Sequence, residues 1–363
     1  MRVACIADSH FGIKNDSEPM RKYQQEFFDS TFFPYVDKHK ITKVIHLGDL
    51  MDRRKYGNYL TASWVSKFYI EPCVQRKLDT DIILGNHDIF FKNTNEVNSP
   101  NLILYGAPGF TVHQVAQDVT LEDGTILCYI PWIPDDEEWK NRTLKSIDQS
   151  RADYAFGHLE LNGYQFTAGV PCEHGYDKTL VTKFSRVFSG HFHMKQGDGH
   201  IEYLGTPYQL SMDDVGVAKG FHIFDTKTGQ IEFIENTEKL FYKIHYRVDQ
   251  NYPTDPESLA KIFAGKYVRI FAPANKTDPV HYDKFLDGIA KCAADVKVTE
   301  ESNAQTAVGL NSSNEAHEKF GQDTLSFMLG EVDFVMERNP SEVLKKKSRD
   351  LIQRLYTEAM HTA

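Results

Sequence analysis

Val3-Ala4-Cys5-Ile6-Ala7-Asp8-Ser9-His10 decides how this chain folds. The first five residues form an apolar run that reads as a buried strand, and Asp8-Ser9-His10 ends it with two groups that can bind a cation. The pattern recurs downstream. Val44-Ile45-His46-Leu47 runs into Gly48-Asp49, and Asp81-Ile82-Ile83-Leu84 runs into Gly85-Asn86-His87-Asp88. Between these runs, about Glu18 to Lys40 and about Asn58 to Leu78 read as helices, the first with Phe27, Phe28, Phe32 and Val36 on an apolar side. Strand, crossover helix, strand, repeated, predicts a parallel-type sheet with helices packed on it. In such sheets functional groups collect in the crevice at the carboxyl ends of the strands, where all three motifs fall.

Two further motifs lie downstream. Tyr154-Ala155-Phe156 leads into Gly157-His158, and Val187-Phe188-Ser189 leads into Gly190-His191-Phe192-His193. With Ile201 to Leu204, Phe221 to Phe224 and Ile231 to Ile234, these strands predict a second sheet facing the first, the early helices covering the outside. The expected class is α/β, with two facing mixed β-sheets flanked by helices in a four-layer sandwich over residues 1–245. A turn-rich break, Asn251 to Pro256, then introduces a small α/β unit over 246–300: helix Glu257 to Phe263, strand Tyr267 to Phe271, helix Val280 to Lys291 and strand Asp295 to Thr299. Residues 301–316 read as a polar linker.

Helical periodicity returns over 317–363. Leu325, Met328, Leu329, Val332, Val335 and Met336 share one face. Asn339, Pro340 and Glu342 then start a second helix with an N-cap, a first-turn proline and a capping box. A helical hairpin on a polar tether either docks another chain or folds back on its own core, and both readings stay open.

The bulk numbers narrow the class. The 363 residues suffice for one large domain plus a smaller one, and 41% hydrophobic with 25% charged residues is ordinary for a globular protein. A net charge of −10 argues against a generally basic nucleic-acid coat but leaves room for a local patch or bound metal. The five cysteines are scattered and contain no C-x-x-C pair, which speaks against disulfides or a zinc-thiolate site and fits a reducing cytoplasm. No signal peptide is evident, and no stretch approaches the roughly 20 apolar residues of a membrane span. A soluble cytoplasmic protein without membrane contact is expected.

Each motif alone is weak, because D-x-H, G-D and G-H occur often by chance. Asp8 can be a turn residue, Asp49 a helix cap and Asn86 a turn residue. Together they supply two Asp, one Asn and four His besides His87 and Asp88, which is the donor set of a two-metal phosphoesterase. Phosphodiesters repel hydroxide and have a poor leaving group. Two divalent cations about 3.5–4 Å apart neutralise the phosphate and acidify a bridging water. Imidazole with carboxylate suits manganese, iron or zinc better than calcium. His191 and His193 alternate on an extended segment, so both reach one site only if the chain bends. Asp52 is either an acceptor beside the site or a turn residue. Arg53, Arg54 and Lys55, and Lys92 beyond the third motif, are DNA-backbone contacts or a solvated loop. Tyr208, in Gly205-Thr206-Pro207-Tyr208-Gln209-Leu210, reads as packing, and His46 as a satisfied interior residue.

With these motifs the chain resembles the calcineurin-like metallophosphoesterases. Within them it is similar to the SbcD-type DNA repair and recombination nucleases, above all their phage recombination endonuclease subunits. The likeness covers residues 1–245 strongly, including the run Gly157-His158-Leu159-Glu160-Leu161-Asn162-Gly163, and the remainder weakly, by architecture. It implies that Asp8, His10 and His193 hold a first metal, that Asp49 bridges, and that Asn86, His158 and His191 hold a second. It implies that His87 contacts the phosphate and that Asp88 orients His87. It further implies manganese, exonuclease action on double-stranded DNA ends, endonuclease action on single strands, a homodimer, and an SbcC-like coiled-coil ATPase gripped by the C-terminal hairpin. The small α/β unit would cap the DNA, and a phage protein would work in the host cytoplasm. A phosphatase or small-molecule phosphodiesterase of the same superfamily is the alternative, since Gly48-Asp49-Leu50-Met51-Asp52-Arg53 fits G-D-x-x-D-R. A DNA-binding scaffold with a decayed metal site fits least, because no expected ligand is missing.

Overall fold

Alternation within single strands builds the layers. Val3, Cys5 and Ala7 face one way and Ala4 and Ile6 the other, so one strand feeds two apolar clusters. The computed structural model describes residues 1–301 except 168, 248–251, 274 and 277. Strands β1 (Arg2–Ile6), β2 (Lys43–His46), β3 (Asp79–Ile83) and β4 (Phe110–His113) pair in parallel. The second sheet takes β5 (Gln117–Thr120), β6 (Ile126–Ile130) and β7 (Tyr154–His158). A short hairpin of β8 (Gln165–Thr167) and β9 (Val170–Pro171) stands apart. The second sheet then resumes with β10 (Arg186–Gly190), β11 (Gln196–Gly197) and β12 (Ile201–Tyr203), in the order β11-β12-β10-β7-β6-β5.

The chain then returns to the first sheet. Strands β13 (Lys219–Asp225) and β14 (Ile231–Asn236) add to it antiparallel, giving β14-β13-β1-β2-β3-β4. This corrects the expectation that Phe221 to Phe224 and Ile231 to Ile234 belong to the second sheet. Apolar alternation reveals a strand's faces but not its neighbours. Inner-face residues Val3, Cys5, Ile45 and Ile83 meet Leu127, Tyr129, Phe156 and Phe188 between the sheets. Phe27, Phe28, Phe32 and Tyr69 cover the outer face of the first sheet, and Ile147 of helix Glu137–Gln149 covers that of the second. The layers run helix, sheet, sheet, helix.

Both crossover helices contain a wider turn. Phe28–Phe32 and Ser66–Ile70 are π-helical, closed by Phe33 N–H to the Phe28 carbonyl and Glu71 N–H to the Ser66 carbonyl. Each precedes a proline, Pro34 or Pro72. Proline lacks an N–H and its ring collides with the carbonyl four residues back, and the π turn absorbs that mismatch.

Strand β15 (Phe241–His245) pairs in parallel with β16 (Tyr267–Pro273), which pairs with β17 (Asp295–Glu301). Helices Pro256–Phe263 and Pro279–Cys292 pack on this small sheet through Leu259, Phe285 and Ile289. Residues 241–245, expected at the end of the core, form β15 and pair with β16 in the small sheet. Glu301, expected to start the linker, instead ends β17. Residues 1–301 form one compact unit. The rest of the expected linker, 302–316, and the expected hairpin, 317–363, lie outside the described residues. Among the described residues no helix is long and apolar enough to cross a membrane.

Candidate metal centre

Five chain segments converge at the carboxyl ends of β1, β2 and β3 in one sheet and β7 and β10 in the other. Sharp turns aim their side chains. Asp8, His10 and Asp49 have φ of 52°, 45° and 52°, and His191 has 90°. Such left-handed residues cost about 1–3 kcal/mol each and persist only where their surroundings fix them. Here Asp8 N–H donates to the Gly48 carbonyl at 3.0 Å and His10 N–H to the Asp49 carbonyl at 2.9 Å. The turn at His191 supplies the bend that lets His191 and His193 reach one centre. Glycines make room for it: a Cβ on Gly48 would overlap His158 Nδ1, and one on Gly85 would overlap the Asp49 carboxylate.

The donor atoms meet in two groups. His10 Nε2 lies 3.1 Å from His193 Nε2, and Asp8, His10 and His193 offer ligand atoms within 4.8 Å of one another. On the other side, His158 Nε2 and His191 Nδ1 lie 3.0 and 3.1 Å from Asn86 Oδ1. Asp49 Oδ2 stands between the groups, 3.6 Å from His10 Nε2 and 3.5 Å from His158 Nε2. All seven residues expected as ligands are therefore brought together.

Hydrogen bonds fix the tautomers. His158 Nδ1 donates to the Leu47 carbonyl at 2.7 Å, which leaves its Nε2 a lone pair. His191 Nε2 donates to Glu160 Oε2 at 3.0 Å, which in the neutral ring leaves Nδ1 as the lone-pair atom. With the Asn86 amide oxygen turned toward them, three acceptors crowd one spot with no proton to share. A cation resolves that conflict, and the residues fit one. Burial holds the His158 imidazole down to about 4 and the His193 imidazole well below the ordinary range, so both stay in the neutral, ligating form. Burial, then the charge of Asp49, pushes the Asp8 carboxyl up. Burial pushes Asp49 up too, but His158, His10 and His87 outweigh it and hold this carboxylate low.

His87 sits at the rim. Its backbone N–H donates to Asp49 Oδ1 at 2.8 Å, and its Nδ1 donates to the Asp52 carbonyl at 2.6 Å. That carbonyl, not Asp88, orients the imidazole. Asp88 instead accepts from Gly85 N at 2.9 Å, Leu50 N at 3.0 Å and Met51 N at 3.2 Å, clamping two loops. Three N–H donors within reach on the backbone side capture the carboxylate that was expected to face His87. Burial, then the charge of Asp49, raises Asp88 to about 7. Asp52 Oδ1 also lies 3.2 Å from His10 Nδ1, though not aligned as a hydrogen bond.

The basic residues divide. Arg53 is ion-paired with Asp16 and reaches the Gly12 carbonyl at 3.4 Å. Arg54 Nε donates to the Ile89 carbonyl at 3.1 Å. Lys55 and Lys92 are exposed. Sequence reasoning missed Glu160, which holds His191, and Trp132, whose ring lies 5.2 Å from that of His191. Glu160 stands two residues after His158, and that spacing was the available signal.

A two-sheet sandwich with buried carboxylates and imidazoles at its strand ends defines a metal-dependent phosphoesterase class, a hydrolase working with divalent cations. Residues 1–195 match the family model described as calcineurin-like phosphoesterase, and the chain belongs to that family. It is 32% identical over 246 residues to exonuclease subunit 1 of Enterobacteria phage T4, covering 68% of this chain and 71% of that protein. It is 23% identical over 412 residues to the SbcD component of the nuclease SbcCD from Escherichia coli strain K12, covering 100% of this chain and 98% of that protein.

Proposed function

We propose that this chain is a two-metal DNA nuclease that hydrolyses phosphodiester bonds, as an exonuclease on double-stranded ends and an endonuclease on single strands. The observation that carries the metal chemistry is the convergence of lone pairs from His158, His191 and Asn86, with Asp49 between them and the Asp8, His10 and His193 group. The choice of a nuclease rests on the two relatives, one matched along nearly its whole length, and DNA as its substrate is what the family resemblance implies. In this reading Asp8, His10 and His193 hold one cation, Asn86, His158 and His191 the other, and Asp49 both. Manganese suits the mixed imidazole and carboxylate set.

Two bound divalent cations supply charge neutralisation and an acidified water. The protein does the rest. Its Nδ1 proton engaged by the Asp52 carbonyl, His87 presents Nε2 to the phosphate and delivers a proton to the leaving oxygen. Asp49 accepts the His87 backbone N–H at 2.8 Å and so fixes that residue beside the centre. Lys55 and Lys92 are the exposed cations available to the DNA backbone. In the same reading the chain works with an SbcC-like ATPase, docked by residues 317–363, and as a homodimer.

The test uses purified protein with manganese on end-labelled linear DNA and on a generic phosphatase substrate. Wild type is expected to degrade the DNA, and His87→Ala to keep both metals while losing turnover by about 10²–10⁴-fold. Cleavage of the small phosphoester alone would move the protein to the phosphatase branch. Joint loss of metal and activity in His87→Ala would remove His87 from its role.

A further inference from the structure

One buried polar network touches the centre from behind. Ser9 lies between Asp8 and His10, the two left-handed residues of the first turn. Its carbonyl accepts from the Tyr208 hydroxyl at 2.6 Å and from Gln24 Nε2 at 3.0 Å, and the same Gln24 nitrogen reaches the His10 carbonyl at 3.3 Å. Its hydroxyl meets His46 Nε2 at 2.8 Å. Ser9, Gln24, His46 and Tyr208 are all fully buried. The N–H groups of Asp8 and His10 are already bonded to Gly48 and Asp49. The turn is therefore gripped along both edges.

Tyr208 belongs to a segment that also fastens His193. Thr206 N–H donates to the His193 carbonyl at 3.3 Å, and Thr206 Oγ1 donates to the Tyr208 carbonyl at 2.8 Å. Gly205 permits the approach: at φ of 70°, a Cβ there would stand 3.1 Å from the His193 carbonyl oxygen and 2.8 Å from Lys195 N. One short segment, 205–208, thus reaches both stretches of chain that supply Asp8, His10 and His193. The Tyr208 ring is wedged edge-on against Tyr23 and Phe27, at centroid distances of 5.8 and 5.5 Å. Packing aims its hydroxyl independently of any ligand.

We propose that Tyr208 is a positioning residue for the Asp8, His10 and His193 site: its hydroxyl, with Gln24, holds the Ser9 turn left-handed and so sets the affinity for the cation on that side. The inference rests on the metal-centre reading above. A hydroxyl that served only the core would contribute stability and nothing else. Removing this one leaves the Ser9 carbonyl to Gln24 alone, lets the turn relax toward ordinary backbone angles, and shifts the donors of Asp8 and His10. Loss of such a supporting hydrogen bond lowers metal affinity by about 10–100-fold.

The test is calorimetric titration of the full chain with manganese, with thermal melts of the metal-free proteins alongside. Tyr208→Phe is expected to weaken one of two manganese ions at least tenfold and leave the other unchanged. Tyr23→Phe is the matched control. It removes a buried hydroxyl from the same aromatic cluster, one that donates to the Glu238 carbonyl at 2.9 Å. It should bind both ions as wild type does. In a His193→Ala background, Tyr208→Phe should add no further loss. Gln24→Met serves if Tyr208→Phe does not fold, and should weaken the same ion. Two ions bound with wild-type affinity in Tyr208→Phe would overturn the proposal alone, as would equal weakening by Tyr23→Phe. A wild type that binds no manganese would overturn the metal-centre reading and this inference with it.

Discussion

The two sheets hold their shares of the centre by different means. On the first sheet, Asp8, His10 and Asp49 are aimed by left-handed backbone and by main-chain bonds between neighbouring strand ends. On the second, His158 ends a regular strand and is aimed by its own Nδ1 bond to Leu47, and His191 adds a bond to Glu160. The first arrangement is stiff, because moving one ligand means moving a turn shared by two of them. The second leans more on side-chain bonds, one to each imidazole, although His191 also turns through a left-handed φ of 90°. The cation proposed for Asp8, His10 and His193 should therefore respond to changes in the backbone frame, and the cation proposed for Asn86, His158 and His191 to single side-chain changes.

The largest expected effect lies where the halves meet. Asp49 Oδ2 is the atom within 3.6 Å of a histidine from each half. Asp49→Asn should lower occupancy of both sites and abolish hydrolysis, a loss of at least about a thousandfold for a charge that neutralises two cations. Manganese stoichiometry beside hydrolysis rate checks it. Loss of only one ion would show that the halves are independent and that Asp49 belongs to one of them.

Glu160→Gln probes the side held by side-chain bonds. The amide keeps the volume but loses the charge that strengthens the His191 bond, so affinity for one ion should fall about 10–100-fold while the other holds. Titration of this variant and of Tyr208→Phe should show different ions weakened. If both variants weaken the same ion, the division between the two groups of ligands fails.

How much of this was legible in the sequence follows from the same contrast. Apolar runs that stop at Asp8, Asp49 and Asn86 mark strand ends, and strand ends of a parallel sheet mark the site. Local order thus carried the parallel strands of the first sheet and the donor set. Partnerships across the chain were not local. Tyr208 reads as packing because its bond to Ser9 spans 199 residues. The resemblance makes Asp88 a partner of His87, yet backbone N–H groups of Leu50 and Met51 claim it. Strands β13 and β14 carry the alternation of any strand, and only the closing of the sandwich decides which edge they join.

The smallest effect concerns a buried imidazole that serves no cation. His222, on β13, is 3% exposed and its Nδ1 has no partner among the described residues. Burial, then the charge of Lys195, holds it down to about 3. The folded protein thus refuses a proton that the unfolded chain accepts near pH 6.5, so stability falls as pH drops from about 6.5 toward 3 and is unaffected above that window. One such histidine removes about 2 kcal/mol by pH 5, from about 1.36 kcal/mol per pH unit below its unfolded pKa. Urea unfolding of metal-free wild type and His222→Leu at pH 7 and pH 5 isolates it, since the other buried groups cancel in the difference. Wild type should lose about 2 kcal/mol more than the variant across that interval. Equal losses would mean that His222 is solvated in the folded state. The first sheet's backbone-held half of the centre would then face acid with no added weakness beneath it, and any acid sensitivity of that half would have to come from the ligands themselves.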